Sequence, residues 1–240
     1  MFNEFWQDGP RFLAGDAFPI GTDAVMLYAF CKDLHAKRIL DLGAGSGVIG
    51  QMLAFGDKTV SVTGLEIQPA SVRESIENAK ANDLALQYTA ICADINSYRE
   101  CLTAGSFDLC VSNPPYYPHG SGKTSVDDKT KTARSESSCT LSDICKAASY
   151  AVRWGGKFCM VHKPERLAEI LYTMHENGLE PKRLRFVRHT VTSAPSIVLI
   201  QSVRGAKAGL VLEDDLILTE NGHDSREACS IYHRKYYGED

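Results

Sequence analysis

The stretch RILDLGAGSG, residues 38–47, decides the fold class of this chain. It begins with a short apolar run, RILDL, and ends in three glycines at alternate positions, Gly43, Gly45 and Gly47. The run VIGQMLAF (48–55), which has helical character, follows directly. This order predicts a strand, a turn and a helix. Because glycine carries no side chain, such a turn leaves the backbone open to a ligand.

Strand-like and helix-like segments alternate along the chain after this unit. The further predicted strands are short apolar runs at 60–67, 86–92, 107–112 and 157–162. Helical spacing of apolar residues predicts helices that begin near Pro69, Thr140 and Pro164. The alternation predicts an α/β fold with a mostly parallel sheet and helices on both faces.

The last two predicted strands, 183–189 and 196–203, are joined by only six residues, TVTSAP. A parallel crossover needs a dozen or more residues, so these strands are predicted to form an antiparallel hairpin at the end of a seven-stranded sheet. The 240 residues are predicted to form a single domain. Its parts are an N-terminal cap segment (1–36), the core sheet (37–204) and a C-terminal extension (205–240).

The composition predicts a cytoplasmic protein without a membrane segment. No apolar run approaches the ~20 residues that span a bilayer, and the N-terminus has no secretory signal. None of the eight cysteines forms a CxxC pair, which favours free thiols over disulfides or zinc. The seven histidines show no ligand spacing such as HxxxH, so no metal is expected.

Three carboxylates follow consecutive predicted strands: Asp41, Glu66 and Asp94. A dinucleotide-binding turn would carry glycine at its sixth position, where this chain has Val48. S-adenosylmethionine has no phosphate and carries an ammonium and a sulfonium, so the acid Asp41 beside the turn suits it better. Each acid alone has the alternative interpretation of a helix cap or turn residue.

The three acids together predict S-adenosylmethionine bound at the turn. Glu66 would accept from the ribose hydroxyls and Asp94 from the adenine amino group. Ile67 and Ile95, which follow these acids, would sandwich the adenine ring.

The strand at 107–112 ends at Asn113-Pro114-Pro115-Tyr116. Two prolines commonly end a strand, but this does not explain the asparagine before them or the aromatic residue after them. The Asn113 side-chain oxygen and the Pro114 carbonyl oxygen are suited to accept the two hydrogens of an exocyclic amine, while Tyr116 stacks on the base. The motif predicts methylation of a planar amino group.

The motifs DLGAGSG and NPPY, with Glu66 and Asp94, resemble those of Rossmann-like class I methyltransferases that act on amino groups. FPIGTDAVMLYAF (18–30), the K-x-A-R-x-E pattern of residues 131–136 and the terminal IYHR (231–234) resemble the bacterial tRNA1(Val) (adenine(37)-N6)-methyltransferase family. This resemblance implies N6-methylation of a tRNA adenosine. It also implies that Asp23 lies beside the methionine end of the cofactor and that Asn113 borders it.

Basic residues in three places predict an RNA surface on a chain whose net charge is −4. Residues 181–207 carry six Lys and Arg and no Asp or Glu. The polar stretch 117–139 and the tail add further cations; the alternative is an ordinary solvated surface. The predicted RNA-binding residues are Lys123, Lys131, Arg134, Arg183, Arg185, Arg188, Arg234 and Lys235.

Several other functions share parts of this pattern. An rRNA guanine N2-methyltransferase stays open. A glutamine N5-methyltransferase would carry a helical substrate domain, and a DNA adenine methyltransferase would carry a target-recognition domain. Neither domain is predicted in these 240 residues, so both functions are disfavoured. A non-catalytic cofactor-binding module and a nicotinamide oxidoreductase belong to different classes. Val48 in place of glycine and the intact NPPY motif count against both.

Overall fold

The computed structural model describes residues 2–13, 21–115 and 139–236. A central sheet organises these ranges. Its seven longer strands are β3 (Arg38–Leu42), β4 (Ser61–Glu66), β5 (Tyr88–Cys92), β6 (Phe107–Ser112), β7 (Val152–His162), β8 (Leu179–Arg188) and β9 (Pro195–Arg204). Two short strands before them, β1 (Phe2–Glu4) and β2 (Arg11–Leu13), form a separate antiparallel hairpin.

The seven strands lie in the order β8-β9-β7-β6-β3-β4-β5. β3 pairs in parallel with β4 and β6, whereas β9 is antiparallel to both of its neighbours, β7 and β8. The prediction of a mostly parallel α/β sheet with a reversed strand from the final hairpin is confirmed. The reversed strand lies between β7 and β8 and not at the sheet edge, because β7 pairs with the free side of β9.

The C-terminal extension adds to the β8 edge of the sheet. Two strands of two residues each, β10 (Val211–Leu212) and β11 (Leu216–Ile217), pair in parallel with β8. A third pair, β12 (Thr219–Glu220) and β13 (His223–Asp224), forms a small hairpin of its own. The sequence analysis did not predict these strands, because two-residue apolar runs carry no periodic signal.

Helices cover both faces of the sheet. They are α1 (Thr22–Cys31), α2 (Val48–Ala54), α3 (Pro69–Ala81), α4 (Tyr98–Cys101), α5 (Leu141–Ala151), α6 (Leu167–Glu176) and α7 (Arg226–Ile231). Alternate residues of β3 face opposite sides, so Ile39 packs in one core cluster with α1 and α2, and Leu40 packs in the other with α5 and α6. Among the described residues, no helix is both long and apolar enough to cross a membrane.

Two buried asparagines on α3 hold the N-terminal hairpin against the sheet layer. Asn82 accepts from the Arg11 amide at 2.6 Å and donates to the Arg11 carbonyl at 2.8 Å. Asn78 accepts from the Leu13 amide at 2.9 Å and donates to the Ser46 carbonyl, within the glycine turn, at 3.0 Å. One side chain therefore joins β2 to the turn that the sequence analysis singled out.

The two ends of the described chain meet on α1. The Trp6 ring stacks on His233 with 4.2 Å between ring centroids, and it also stacks on Tyr28 of α1. Tyr232 lies beside Phe5 and beneath the Arg234 guanidinium. The IYHR segment thus packs Tyr232 and His233 against the N-terminal residues.

We predict that Asn82→Ala loosens the N-terminal hairpin and leaves the sheet intact. The substitution removes both hydrogen bonds to the Arg11 backbone. A partly buried backbone group without a partner costs about 1–3 kcal/mol. Urea unfolding should show a loss in this range, and amide hydrogen exchange should accelerate in residues 2–13.

The matched control is Lys80→Ala, on the exposed face of the same helix, where a surface ion pair to Glu77 contributes at most ~1 kcal/mol. Unchanged exchange of residues 2–13 in Asn82→Ala would show that other contacts hold the hairpin.

Candidate active site

The functional residues predicted from the sequence follow strands whose carboxyl ends lie level at one edge of the sheet. The register pairs Leu42 with Leu65 of β4 and with Ser112 of β6. Glu66 pairs with Cys92 of β5. The glycine turn, Glu66, Asp94 and Asn113 therefore lie side by side along this edge, which is where parallel α/β sheets bind their ligands.

The glycine turn adopts a backbone that only glycine takes at little cost. Gly43, Gly45 and Gly47 have φ values of +71°, +54° and +80°. The amides of Gly43 and Ala44 both donate to the Leu65 carbonyl, at 2.9 and 3.1 Å. A Cβ built on Gly43 or Gly45 would meet no atom within 4 Å. These two positions face open space, so a ligand can approach the backbone there.

Glu66 fixes the turn from the neighbouring strand. Its Oε2 accepts from the Gly45 amide and its Oε1 from the Gln68 amide, each at 2.9 Å. Glu66 is largely buried. From the sequence, its carboxylate was predicted to accept from the ribose hydroxyls, which requires that its oxygens can still take further donors. A carboxylate oxygen has two lone pairs, so each oxygen keeps capacity for one hydroxyl donor. Glu66 therefore has a structural role at the turn, and its role toward the ribose stays a prediction.

Asp41 lies beneath the turn and not on its open side. It is 1% exposed, and its Oδ2 accepts from the Gly50 amide at 3.0 Å. Its Oδ1 has no hydrogen-bond partner among the described residues. Burial raises the pKa of this carboxyl from 3.8 to about 7, the Gly50 amide lowers it in part, and the charge of Glu66 raises it further. The strand position was predictable, but this burial was not.

Three of the remaining predicted cofactor residues follow β4 and β5, and the fourth, Asp23, lies on α1. Ile67 is 38% exposed at the mouth of the site, and Ile95 is half-buried against the second core cluster. Asp94 accepts from the Asn96 amide at 2.8 Å and caps a short 3₁₀ turn, which is the alternative interpretation for a strand-end acid. Asp23 lies in the first turn of α1, half-buried.

Asn113 and Pro114 are held level with the turn by the end of β6. The Ser112 hydroxyl donates to the Leu42 carbonyl at 2.8 Å, which joins β6 to β3 at their carboxyl ends. Asn113 is half-buried, Pro114 is buried and Pro115 is exposed. Tyr116 lies outside the described residues, as do Lys123, Lys131 and Arg134.

His162, at the end of β7, belongs to this edge although the sequence analysis did not select it. Because Ser112 pairs with Met160, His162 lies next to the Asn113 region. It is 1% exposed, and its Nδ1 accepts from the Lys163 amide at 2.7 Å. Burial and the Arg166 charge lower its pKa, which favours the neutral ring. The signal for His162 in the sequence was a histidine as the last residue of the predicted strand 157–162, two residues before Pro164.

Four of the arginines predicted to bind RNA are paired with carboxylates of the C-terminal extension. Arg185 donates to both oxygens of Glu227, at 2.6 and 2.7 Å, and to the Asp214 carbonyl at 2.8 Å. The other three pairs are Arg183 with Glu213, Arg188 with Asp215, and Arg234 with Asp224. Lys235 is exposed. Three of the six cations of the basic hairpin, residues 181–207, thus form ion pairs within the fold.

We predict that Asp41 makes the folded chain less stable as the pH rises. Between pH 3.8 and about 7 the folded state holds a proton on Asp41 that the unfolded state has lost, so the free energy of unfolding falls with rising pH. Between pH 5 and 8 this loss should reach about 2–3 kcal/mol. Urea unfolding of the wild type and Asp41→Asn at both pH values measures it.

The asparagine variant retains a side-chain oxygen for the Gly50 amide and has no titrating group, so the difference between the two proteins isolates Asp41. Equal pH dependence in both proteins would contradict this prediction.

Comparisons with known structures agree with the fold. A protein described as a predicted O-methyltransferase from Agrobacterium tumefaciens superposes with a TM-score of 0.71 at 20% identity, over 90% of this chain and 98% of its own. The T. thermophilus 16S rRNA N2 G1207 methyltransferase superposes with a TM-score of 0.55 at 19% identity, over 79% and 44%. At these identities the likeness concerns the fold alone.

Sequence comparisons define the family. Proteins named tRNA1(Val) (adenine(37)-N6)-methyltransferase, from Yersinia pseudotuberculosis and Yersinia pestis, are 33% identical over 176 residues, or 72% of this chain. The matched region spans 64–65% of the length of these relatives. The family model described as methyltransferase small domain matches residues 12–175, which include the glycine turn, Glu66 and Asn113. This chain therefore belongs to the methyltransferase small domain family.

Proposed function

We propose that this chain is a cytoplasmic S-adenosylmethionine-dependent methyltransferase that modifies the N6 amino group of an adenosine in tRNA, as the names of its relatives state for adenosine 37 of tRNA1(Val). One observation carries the proposal. The open glycine turn, Glu66 and the Asn113–Pro114 pair lie level at one edge of the sheet. A methyl donor bound at the turn is thus adjacent to the acceptors for an amine.

The described residues fit S-adenosylmethionine. The open space over Gly43 and Gly45 gives a ligand access to the backbone, and Glu66 retains lone pairs for the ribose. The cofactor supplies a methyl group on a positively charged sulfur. Asp41, buried at the end of the strand before the turn, and Asp23, in the first turn of α1, are the acids proposed for its positively charged methionine end. The other predicted contacts are Asp94, Ile67 and Ile95 with the adenine, and Gly47 as part of the cofactor-binding turn.

The acceptor side requires positioning more than acid–base chemistry. An exocyclic amine is a weak nucleophile because its lone pair is delocalised into the ring. The Asn113 side-chain oxygen and the Pro114 carbonyl would accept its two hydrogens and concentrate the lone pair on nitrogen, and Tyr116 would hold the base by stacking. Among the described residues, no group of three or more His, Cys, Asp or Glu side chains could hold a metal ion.

A guanine N2-methyltransferase of rRNA is the second candidate, since one structural neighbour carries that name. The two candidates share the amine-directed chemistry and differ only in the nucleoside. Incubation of the purified protein with total tRNA and with rRNA, followed by nucleoside mass spectrometry, separates them. N6-methyladenosine in tRNA supports the proposal, and N2-methylguanosine in rRNA supports the second candidate.

We predict that Asn113→Ala retains cofactor affinity and loses nearly all turnover. The amide oxygen acts on the reacting amine in the transition state, so its loss lowers kcat more than it raises KM. Calorimetry with S-adenosylmethionine measures the cofactor affinity, and steady-state kinetics measure kcat and KM. If Asn113→Ala kept more than about a tenth of wild-type kcat, a loss under ~1.4 kcal/mol, the amine-polarising role would be wrong.

The RNA surface is proposed to lie along the carboxyl edge of the sheet, because the target base must reach Asn113. In the sequence, the residues after the NPPY motif directly follow Asn113–Tyr116, a segment that begins at this edge. A phosphate at Arg183 or Arg185 would instead have to displace the carboxylate of Glu213 or Glu227. The cations that follow the motif are therefore the stronger candidates for phosphate contacts, and the hairpin arginines remain the weaker ones.

We predict different salt dependences for two triple alanine variants. Each phosphate contact contributes roughly one unit to the slope of log affinity against log salt. Replacing the cations after the motif should flatten the slope by two to three, and replacing the hairpin arginines should change it by less than one while lowering the free energy of unfolding. The substituted residues are Lys123, Lys131 and Arg134 in one variant, and Arg183, Arg185 and Arg188 in the other. Filter binding of tRNA from 50 to 300 mM salt, about the physiological range, measures the slopes.

The reverse result, with the larger slope change in the hairpin variant, would show that RNA displaces the carboxylates of the C-terminal extension. Equal slopes in both variants and the wild type would place the RNA elsewhere.

A further inference from the structure

Two buried oxygen atoms beneath the glycine turn have no hydrogen-bond partner among the described residues: Oδ1 of Asp41 and the hydroxyl of Tyr88. Buried polar groups in folded proteins nearly always have partners, so each exception needs an explanation. The two residues face the same side of the sheet. Asp41 pairs with Gly64 across β3 and β4, and Tyr88 pairs with Val62 across β4 and β5.

Gly64 allows the Tyr88 ring to cross strand β4 towards Asp41. A Cβ at Gly64 would overlap the phenol oxygen, so any other residue there would block the ring. The same oxygen lies 2.7 Å from the position of a Cβ on Gly47, the last glycine of the turn. The hydroxyl therefore lies directly under the point where the turn becomes α2, and Gly50 of that helix donates to the other oxygen of Asp41.

Electrostatics also place the two groups near each other. Burial raises the pKa of Tyr88, and the charge of Asp41 is the next largest cause. The ionisable groups that act on Asp41 from neighbouring strands are Glu66 on β4, Tyr88 on β5 and Cys110 on β6. Burial keeps Cys110 a neutral thiol, and Glu66 already accepts two backbone amides. The side chains of Ser75 and Gln51 also lie beside the tyrosine hydroxyl and lower the pKa of Tyr88, but Gln51 already donates to the Ser75 carbonyl and Ser75 to the Val72 carbonyl. The hydroxyl is the group in this set that makes no hydrogen bond among the described residues.

We propose that Tyr88 is a positioning residue: its hydroxyl donates to the second oxygen of Asp41 and so holds a negative charge beneath the glycine turn for the positively charged methionine end of the cofactor. This inference rests on the proposed function for the identity of the cofactor. The pairing of Tyr88 with Asp41 does not depend on that function: it is inferred from the strand register, the absence of a side chain at Gly64 and the effect of the Asp41 charge on the pKa of Tyr88.

The hydroxyl has a predictable effect on the pH range of binding. A hydrogen bond to the ionised carboxylate lowers its pKa, so removing the donor raises it. The charge beneath the turn then forms only at higher pH. If cofactor affinity depends on this charge, it should rise with pH in the wild type. In a variant without the hydroxyl, the rise should occur at a higher pH.

The test is S-adenosylmethionine binding by calorimetry from pH 6 to 9 for the wild type, Tyr88→Phe and Asp41→Asn. Phenylalanine retains the ring that packs under the turn. If the pKa of Asp41 rises by about one unit, affinity in Tyr88→Phe should fall roughly fivefold at pH 7 and recover by pH 9. Asp41→Asn should show no rise of affinity over this range. Tyr172→Phe, at a 67% exposed residue on α6, is the control and should match the wild type.

An unchanged pH midpoint in Tyr88→Phe, or an unchanged profile in Asp41→Asn, would overturn the inference. Adenosine, which lacks the methionine end, should bind all four proteins equally. If the wild type binds no S-adenosylmethionine at any pH, the proposed function fails. The pairing is then decided by urea unfolding between pH 5 and 8. The free energy of unfolding of Tyr88→Phe should continue to fall up to a higher pH than that of the wild type. Identical pH dependence in the two proteins would refute the pairing.

Discussion

The attachment of the glycine turn to β4 is the interaction on which the site depends. The amides of Gly43 and Ala44 share the Leu65 carbonyl, and the Glu66 carboxylate accepts from Gly45. A turn with three left-handed glycines has high conformational entropy in the unfolded chain, so it needs such fixed partners to hold one shape. The strand that carries the predicted ribose acceptor thus also holds the turn that faces the ligand.

The buried carboxyl of Asp41, beneath the turn, lowers the stability of the fold when it is ionised. Asp41 is buried where an ionised carboxylate is costly, and its raised pKa reports that cost. The chain retains the acid with one backbone amide as partner, that of Gly50 at 3.0 Å. Such local cost at a ligand-facing turn is typical of functional sites, where pKa values are shifted for a task.

The C-terminal extension supplies carboxylates that pair with arginines of the basic hairpin. Read alone, residues 181–207 suggest an exposed cationic face on an acidic protein. In the fold, the extension runs along β8 and brings carboxylates to these arginines, as in the two-bond pair of Arg185 with Glu227. Leu216 and Ile231 of the extension are buried, so these ion pairs lie over a packed apolar contact. The arginines therefore contribute to holding the extension on the sheet.

The sequence by itself determined the sheet, its hairpin and the strand ends that carry the predicted site, because hydrophobic period, glycine spacing and connection length are local properties. It therefore predicted the glycine turn, Glu66 and Asn113 at one edge. Only the tertiary structure decided which way each side chain points and what it meets. Asp41 is buried at the end of β3, the Tyr88 hydroxyl lies over Gly64 and beneath Gly47, and Arg185 pairs with Glu227. These contacts join residues far apart in the chain, and no local pattern encodes such pairs, since strand register and helix packing bring them together.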